Sequence, residues 1–195
     1  MLSFIFAFIL SACSSHEPVP YDGLLMSERN PDKFTFLSRQ NLYHLEQIYN
    51  LKTFSYQRNI IFDSRKKDHV YNSQDHAIVL NTAYSDNPQL LLSAWLHEEF
   101  HWWAQTNEKE LLPALNELKK YYPKSSQTTR KHILITYLEF EALSFYLEER
   151  EAKSVLNQKI RKNPKFKWFY MEVLKRTRLL RKIMKDHNLL PEILN

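Results

Sequence analysis

A predicted helix that is apolar around almost its whole circumference constrains this chain more than any other stretch. Neither Gly nor Pro occurs between Gln89 and Gln105, and most residues in that interval are apolar. Asp86 or Asn87 can cap the start of the helix, and Pro88 suits its first position. A helix with apolar residues on all sides is normally buried. We therefore predict that this helix lies at the centre of a globular core.

The polar residues in the middle of this helix follow the pattern His-Glu-x-x-His. His97 and His101 are four residues apart, so both side chains lie on one helical face, and Glu98 follows the first His. Polar groups in a buried helix cost free energy unless they find partners. Two imidazoles at this spacing can hold one Zn²⁺, and the neighbouring Glu can take a proton from zinc-bound water. The alternative is a chance match within a structural helix.

A zinc site with two His ligands needs another protein ligand and an open position for water. A second long helix, predicted from Ser125 or Ser126 to about Lys153, offers Glu139 and Glu141. These two carboxylates are 200° apart around the helix, with Glu139 on an apolar stripe and Glu141 on a polar, solvated one. A carboxylate on an apolar face needs a cation, so we predict that Glu139 is the ligand. The alternative is a buried Glu139 paired with a Lys or Arg of another segment.

The motif followed by a Glu on a later helix resembles the gluzincin branch of the zinc metallopeptidases. Glu139-x-x-Ala142 is similar to the third-ligand segment of several small gluzincins, although Leu143 stands where many have Asp or Asn. The hydrogen bond that such a residue gives to a motif His is then missing or supplied elsewhere. The predicted strand 76–82 resembles the edge strand along which such peptidases align an extended peptide. The resemblance covers roughly residues 75–149.

The resemblance implies hydrolysis of a peptide or protein substrate at one bound Zn²⁺. It assigns three metal ligands: His97, His101 and Glu139. Glu98 would be the general base, taking a proton from water and returning it to the leaving amine. His132, on the same helical stripe as Glu139, and Tyr170, on a later helix, are candidate donors to the oxyanion. A plain packing role remains open for both of these donors.

The rest of the chain predicts a mostly helical α+β fold, with a zincin-like core, a small sheet ahead of the motif helix and a helical C-terminal half. Residues 31–195 are predicted to form one domain. Helical spacing occurs in residues 31–50, 111–121 and 166–187, and strands are expected at 59–63 and 76–82. The polar run 64–74 is predicted to be a loop or the tip of a hairpin. Pro113 is expected in the first turn of its helix.

The N-terminus resembles a bacterial lipoprotein signal peptide. Residues 1–10 form an apolar run too short to span a bilayer as a helix, and Ser11, Ala12 and Cys13 follow. The resemblance implies a signal peptide over residues 1–12, a lipid on Cys13 and a tether over residues 13–30. It also implies a location in the cell envelope, at the periplasmic face of the outer membrane. No Lys or Arg precedes the apolar run, and a buried N-terminal helix with an incidental cysteine is the alternative.

The chain is mildly basic, with 27 Lys and Arg against 22 Asp and Glu. The excess lies between Lys159 and Lys185, where apolar residues recur at helical spacing. This pattern predicts an amphipathic helix with a solvated basic face, which could also contact anionic lipid headgroups. No nucleic-acid-binding motif is visible, so we expect no nucleic-acid partner. Cys13 is the only cysteine, which excludes an internal disulfide and a thiolate metal site.

A non-catalytic function also fits these residues. The chain could be a lipid-anchored binding or assembly protein that holds a structural zinc, or a pseudo-enzyme. Glu98 distinguishes the two classes, because a structural zinc site does not need a carboxylate beside its first His and a hydrolase does.

Overall fold

The computed structural model of this protein describes residues 23–66, 70–72 and 76–194. The predicted signal peptide, Cys13 and most of the predicted tether lie outside these residues. The described strands are Leu25–Arg29 (β1), Asn59–Asp63 (β2), Val70–Asn72 (β3) and Ala77–Leu80 (β4). The described α-helices are Lys33–Ile48 (α1), Pro88–Thr106 (α2), Glu108–Tyr121 (α3), Gln127–Leu147 (α4), Glu149–Lys162 (α5) and Lys167–Asp186 (α6). Short 3₁₀ helices span Leu51–Phe54 and Glu192–Leu194. The fold is therefore α+β and mostly helical, with the small sheet ahead of the motif helix.

The four strands form one sheet in the order β1-β2-β4-β3. β1 pairs with β2 in parallel, with Leu25 opposite Asn59, and β2 pairs with β4 in parallel, with Ile60 opposite Ile78. β3 runs antiparallel to β4. Every residue of β4 is buried, as is common for an interior strand of a sheet with both faces covered.

Two expectations about this sheet were wrong. The strand predicted over residues 76–82 is not an edge strand, because β2 and β3 pair with β4 on its two sides. β3 falls in the run 64–74, which was predicted to be a loop or hairpin tip. The tether predicted for residues 13–30 also ends earlier than expected, because β1 pairs with β2 along its whole length. In β1, exposed residues alternate with half-buried ones, and its sequence is too polar to predict a strand by itself.

The motif helix α2 is buried, as predicted. The Asn87 side chain caps its start by accepting a hydrogen bond of 3.0 Å from the Leu90 amide, and Pro88 occupies the first turn. Trp95 and Leu96 have no exposed surface. α2 packs against α1, α3, α4, α5 and the β3–β4 side of the sheet. The sequence around the motif therefore gives a central helix whose polar residues must find partners inside the protein.

The long helix predicted to run to about Lys153 is two helices. Ser126 caps the start of α4 through a 3.0 Å hydrogen bond from the Thr129 amide. α4 ends at Leu147, and Glu148 separates it from α5 with φ 68° and ψ 156°. This backbone conformation is rarely adopted by residues other than Gly.

Two further helix boundaries differ from the prediction. α3 begins at Glu108, so Pro113 lies inside the helix and not in its first turn. The basic segment between Lys159 and Lys185 is also interrupted, because α5 ends at Lys162 and α6 begins at Lys167. The predicted helix 166–187 corresponds to α6. Within the described ranges, no helix is both long and apolar enough to cross a membrane.

Candidate metal centre

Three histidines from two helices, one buried and two partly buried, lie close together. α2 contributes His97 and His101, and α4 contributes His132. One nitrogen from each ring lies within 4.8 Å of the others. The ring centroids are 5.0 Å apart for the two histidines of α2, and that of His132 is 4.9 Å from His97 and 5.3 Å from His101. Among the described residues, this is the one group of His, Cys, Asp and Glu side chains arranged to hold a metal ion.

His132 is held in place by aromatic residues at the start of α6. Its ring stacks on Phe166, with centroids 5.4 Å apart and planes 16° from parallel, and its centroid lies 4.6 Å from that of Phe169. The His132 Nε2 atom is buried and has no hydrogen-bond partner. A buried ring nitrogen without a partner is costly, and a metal ion is one group that would satisfy it.

The environment keeps at least two of these rings in the form that binds metals. Burial, followed by the neighbouring His97 and His132, lowers the pKa of His101 to about 2. Burial, followed by His97, lowers the pKa of His132 to about 3. Both rings are therefore neutral near pH 7, and a neutral imidazole is the form that ligates a metal.

Glu139 contacts His97 but is not one of the three clustered residues that could hold a metal. Its Oε2 atom is 2.7 Å from Nδ1 of His97. Its Oε1 atom accepts hydrogen bonds from Ser93 and, at 2.6 Å, from the Lys159 ammonium. Burial alone would raise the pKa of Glu139, but Lys159 and His97 outweigh it and hold this pKa at about 2. The carboxylate is therefore ionised and accepts a hydrogen bond from Nδ1–H of His97.

These contacts differ from the ligand role predicted for Glu139. Both of its oxygens are engaged by protein donors, and its pairing with Lys159 matches the alternative in which a buried Glu139 meets a cation of another segment. Glu139 accepts the hydrogen bond from a motif His that an Asp or Asn at position 143 would otherwise accept. With Nδ1 of His97 used in this way, the Nε2 atom of that ring is the one left to bind a metal.

Glu141 is also buried, which corrects the expectation that it faces solvent. Only 4% of its surface is exposed, and its carboxylate pairs with the Arg181 guanidinium of α6. The helical stripe of Glu141 faces α6, which the sequence does not reveal. Glu141 takes no part in the histidine cluster.

Glu98 and Tyr170 are buried near the cluster. Glu98 has 5% of its surface exposed and Tyr170 has 4%. Burial raises the pKa of Tyr170 well above its usual value, and the charges of Glu139 and Glu98 contribute after it. The Lys159 ammonium lies 5.0 Å from the centroid of the Tyr170 ring. The phenol is therefore protonated at neutral pH and able to donate a hydrogen bond.

Glu99, the other acidic residue in the motif, has a structural role. Its Oε2 atom accepts hydrogen bonds from the amides of Tyr56 at 2.6 Å and Gln57 at 2.8 Å. Burial raises the pKa of Glu99 well above its usual value. Glu99 thus anchors the segment before β2 to α2.

Sequence reasoning missed three residues that shape the site: Ser93, Lys159 and Phe166. Ser93 lies four residues before His97, so helical spacing could have placed it on the same face. No local pattern distinguishes Lys159 from the other basic residues of its segment. Comparisons with models of protein families, with curated proteins and with solved structures found no match to this chain.

Proposed function

We propose that this protein is a zinc-dependent hydrolase of peptide bonds, with the metal held by His97, His101 and His132. The observation that carries the proposal is the convergence of these three rings around the buried Nε2 atom of His132, which has no hydrogen-bond partner. Zn–N bonds of 2.0–2.1 Å place two ligand nitrogens of a tetrahedral site about 3.4 Å apart. The present spacing, within 4.8 Å, needs only small side-chain shifts to reach that value.

The proposed roles revise two of the sequence-based assignments. His132 becomes a metal ligand in place of its predicted role as an oxyanion donor. Glu139 becomes the residue that orients His97, because its oxygens are taken by His97, Ser93 and Lys159. Three imidazole ligands suit zinc and leave a fourth position for water or substrate.

Zinc bound in this way would acidify its water and polarise the scissile carbonyl. Glu98 follows a proposed ligand directly in the chain and is buried, so it can accept the water proton and deliver it to the leaving amine. Tyr170 is the remaining candidate to donate a hydrogen bond to the developing oxyanion, because its phenol stays protonated beside Glu98 and Glu139.

The proposed location follows from the lipoprotein-like N-terminus. A lipid on Cys13 would hold the hydrolase at a bacterial membrane, with the outer membrane proposed from Ser14, which follows the cysteine. The proposed partners are accordingly a peptide or protein substrate and the lipid bilayer.

Metal analysis of three purified proteins tests the ligand set. The wild type should carry about one zinc per chain after purification without chelators. His132→Ala should lose most of it, because two histidines from one helix leave the site incomplete. His44→Ala, which changes an exposed histidine of α1, is the matched control and should keep the metal.

Three outcomes would contradict the proposal at different points. A wild type free of metal would exclude the zinc site altogether. Full zinc content in His132→Ala would remove His132 from the ligand set. A zinc-loaded wild type that cleaves nothing across a broad peptide library would instead support the non-catalytic binding or assembly function.

A further inference from the structure

A buried chain of polar contacts leads from α5 to the metal centre. The Lys159 ammonium of α5 donates to Oε1 of Glu139 in α4, and Oε2 of that carboxylate meets Nδ1 of His97 in α2. Lys159 has 4% of its surface exposed and Glu139 has none. We propose that Lys159 is a positioning residue for the zinc site, acting on His97 through Glu139. This inference rests on the proposed function and extends it by naming how α5 controls the metal ligand.

Lys159 fixes the orientation of the carboxylate. With Lys159 and Ser93 both on Oε1, only Oε2 remains to face His97. Without Lys159, Oε1 keeps Ser93 alone, so the carboxylate loses its charged partner and its fixed rotamer. An ionised carboxylate left uncompensated in a buried site is strongly disfavoured, and the side chains around it rearrange. The contact that holds the His97 ring toward the metal is then loosened.

Lys159 is buried, unlike Lys162 of the same basic segment. Lys162, one turn further along α5, is exposed. Burying an ammonium is costly, and a solvated face offers no reason for it. Lys159 is held by the Glu139 carboxylate on one side and lies over the Tyr170 ring on another. It therefore contacts two residues of the proposed site, and α5 must be docked for both contacts to form.

Zinc affinity of the full mature protein, measured by competition with a chromophoric chelator, tests the inference. Lys159→Met removes the ammonium at similar side-chain length, and we expect zinc affinity to fall by about 10- to 100-fold, as for other residues that orient a metal-bound His. Lys162→Met is the matched control on the same helix and should bind zinc as the wild type does. Lys159→Arg keeps a cation and should recover part of the lost affinity.

A double-mutant cycle distinguishes positioning from general destabilisation. Once Glu139→Gln has removed the carboxylate, adding Lys159→Met should cost little further affinity, because Lys159 acts through that group. The double variant also buries no uncompensated charge, so it remains informative if Lys159→Met alone fails to fold. Equal losses from Lys159→Met in both backgrounds would overturn the inference.

Nitrogen-15 spectra of the imidazole rings in zinc-free protein report the tautomer of His97, which a change in packing alone would not alter. In the wild type, His97 should carry its proton on Nδ1, and in Lys159→Met it should show a mixture of the two tautomers. An unchanged His97 tautomer together with unchanged zinc affinity in Lys159→Met would overturn the inference and leave the zinc site intact. A wild type that binds no zinc would instead defeat the proposed function.

Discussion

Glu98 is the residue that separates a hydrolase from a protein that only holds zinc. Glu98→Gln keeps the size of the side chain but removes its ability to accept a proton. We expect zinc content and thermal stability to stay close to those of the wild type, while peptide cleavage falls by about 10² or more. Cleavage rates and metal content measured on the same preparations check this.

A control for the Glu98 substitution comes from the next helix. Glu110→Gln alters an exposed carboxylate of α3 and should leave the cleavage rate unchanged. Equal cleavage by the wild type and Glu98→Gln would mean that the proton is accepted by another group or that the activity belongs to a contaminant.

At the same scale, the sequence predicted part of the site and missed the rest for a physical reason. The spacing of His97 and His101 places them together on any helix, so this pair could be found without a structure. The stripe shared by His132 and Glu139 was also visible. The packing of α4 against α2 determines whether His132 or Glu139 faces the other histidines. Lys159, which lies 20 residues after Glu139, also contributes by pairing with that carboxylate.

At the scale of the secondary-structure elements, the backbone at the junction between α4 and α5 is strained, and this strain can be measured. Glu148 adopts φ 68° and ψ 156°, a conformation that costs a residue with a Cβ about 1–3 kcal/mol and costs Gly much less. We expect Glu148→Gly to be more stable than Glu148→Ala by about 1 kcal/mol or more, measured by urea unfolding.

Comparing these two substitutions removes the effect of losing the carboxylate at the start of α5, because both lack it. Equal stability of the two variants would show that the backbone at this junction relaxes without cost.

The element boundaries explain what the sequence could and could not predict about the fold. α1, β2, β4, α2 and α6 lie where their periodicity predicts them, with ends that differ by a few residues, and α2 also has the predicted Asn87 cap. The break after Leu147 was missed because no Gly or Pro marks it. β1 was missed because its pairing with β2 joins residues 34 apart in the chain, which local periodicity does not encode.

At the scale of the whole molecule, the proposed attachment to a membrane depends on the sulfur atom of Cys13. Cys13→Ala should either move the protein from the membrane fraction to the soluble fraction or leave its signal peptide uncleaved. Cell fractionation and mass spectrometry of the intact protein measure both. Ser15→Ala, two residues away, is the control and should remain membrane-bound. Native protein with an intact Met1 would contradict lipidation at Cys13.

The position of β1 limits how far the tether could hold the proposed hydrolase from the membrane. Leu25 is already paired with β2, so at most 12 peptide steps separate Cys13 from the sheet. At about 3.3–3.6 Å per residue, the sheet can stand no more than roughly 40 Å from a lipid on Cys13. A tether continuing to residue 30 would have reached about 60 Å by the same estimate. The proposed hydrolase would therefore stay close to the bilayer and meet substrates that are themselves near the membrane surface.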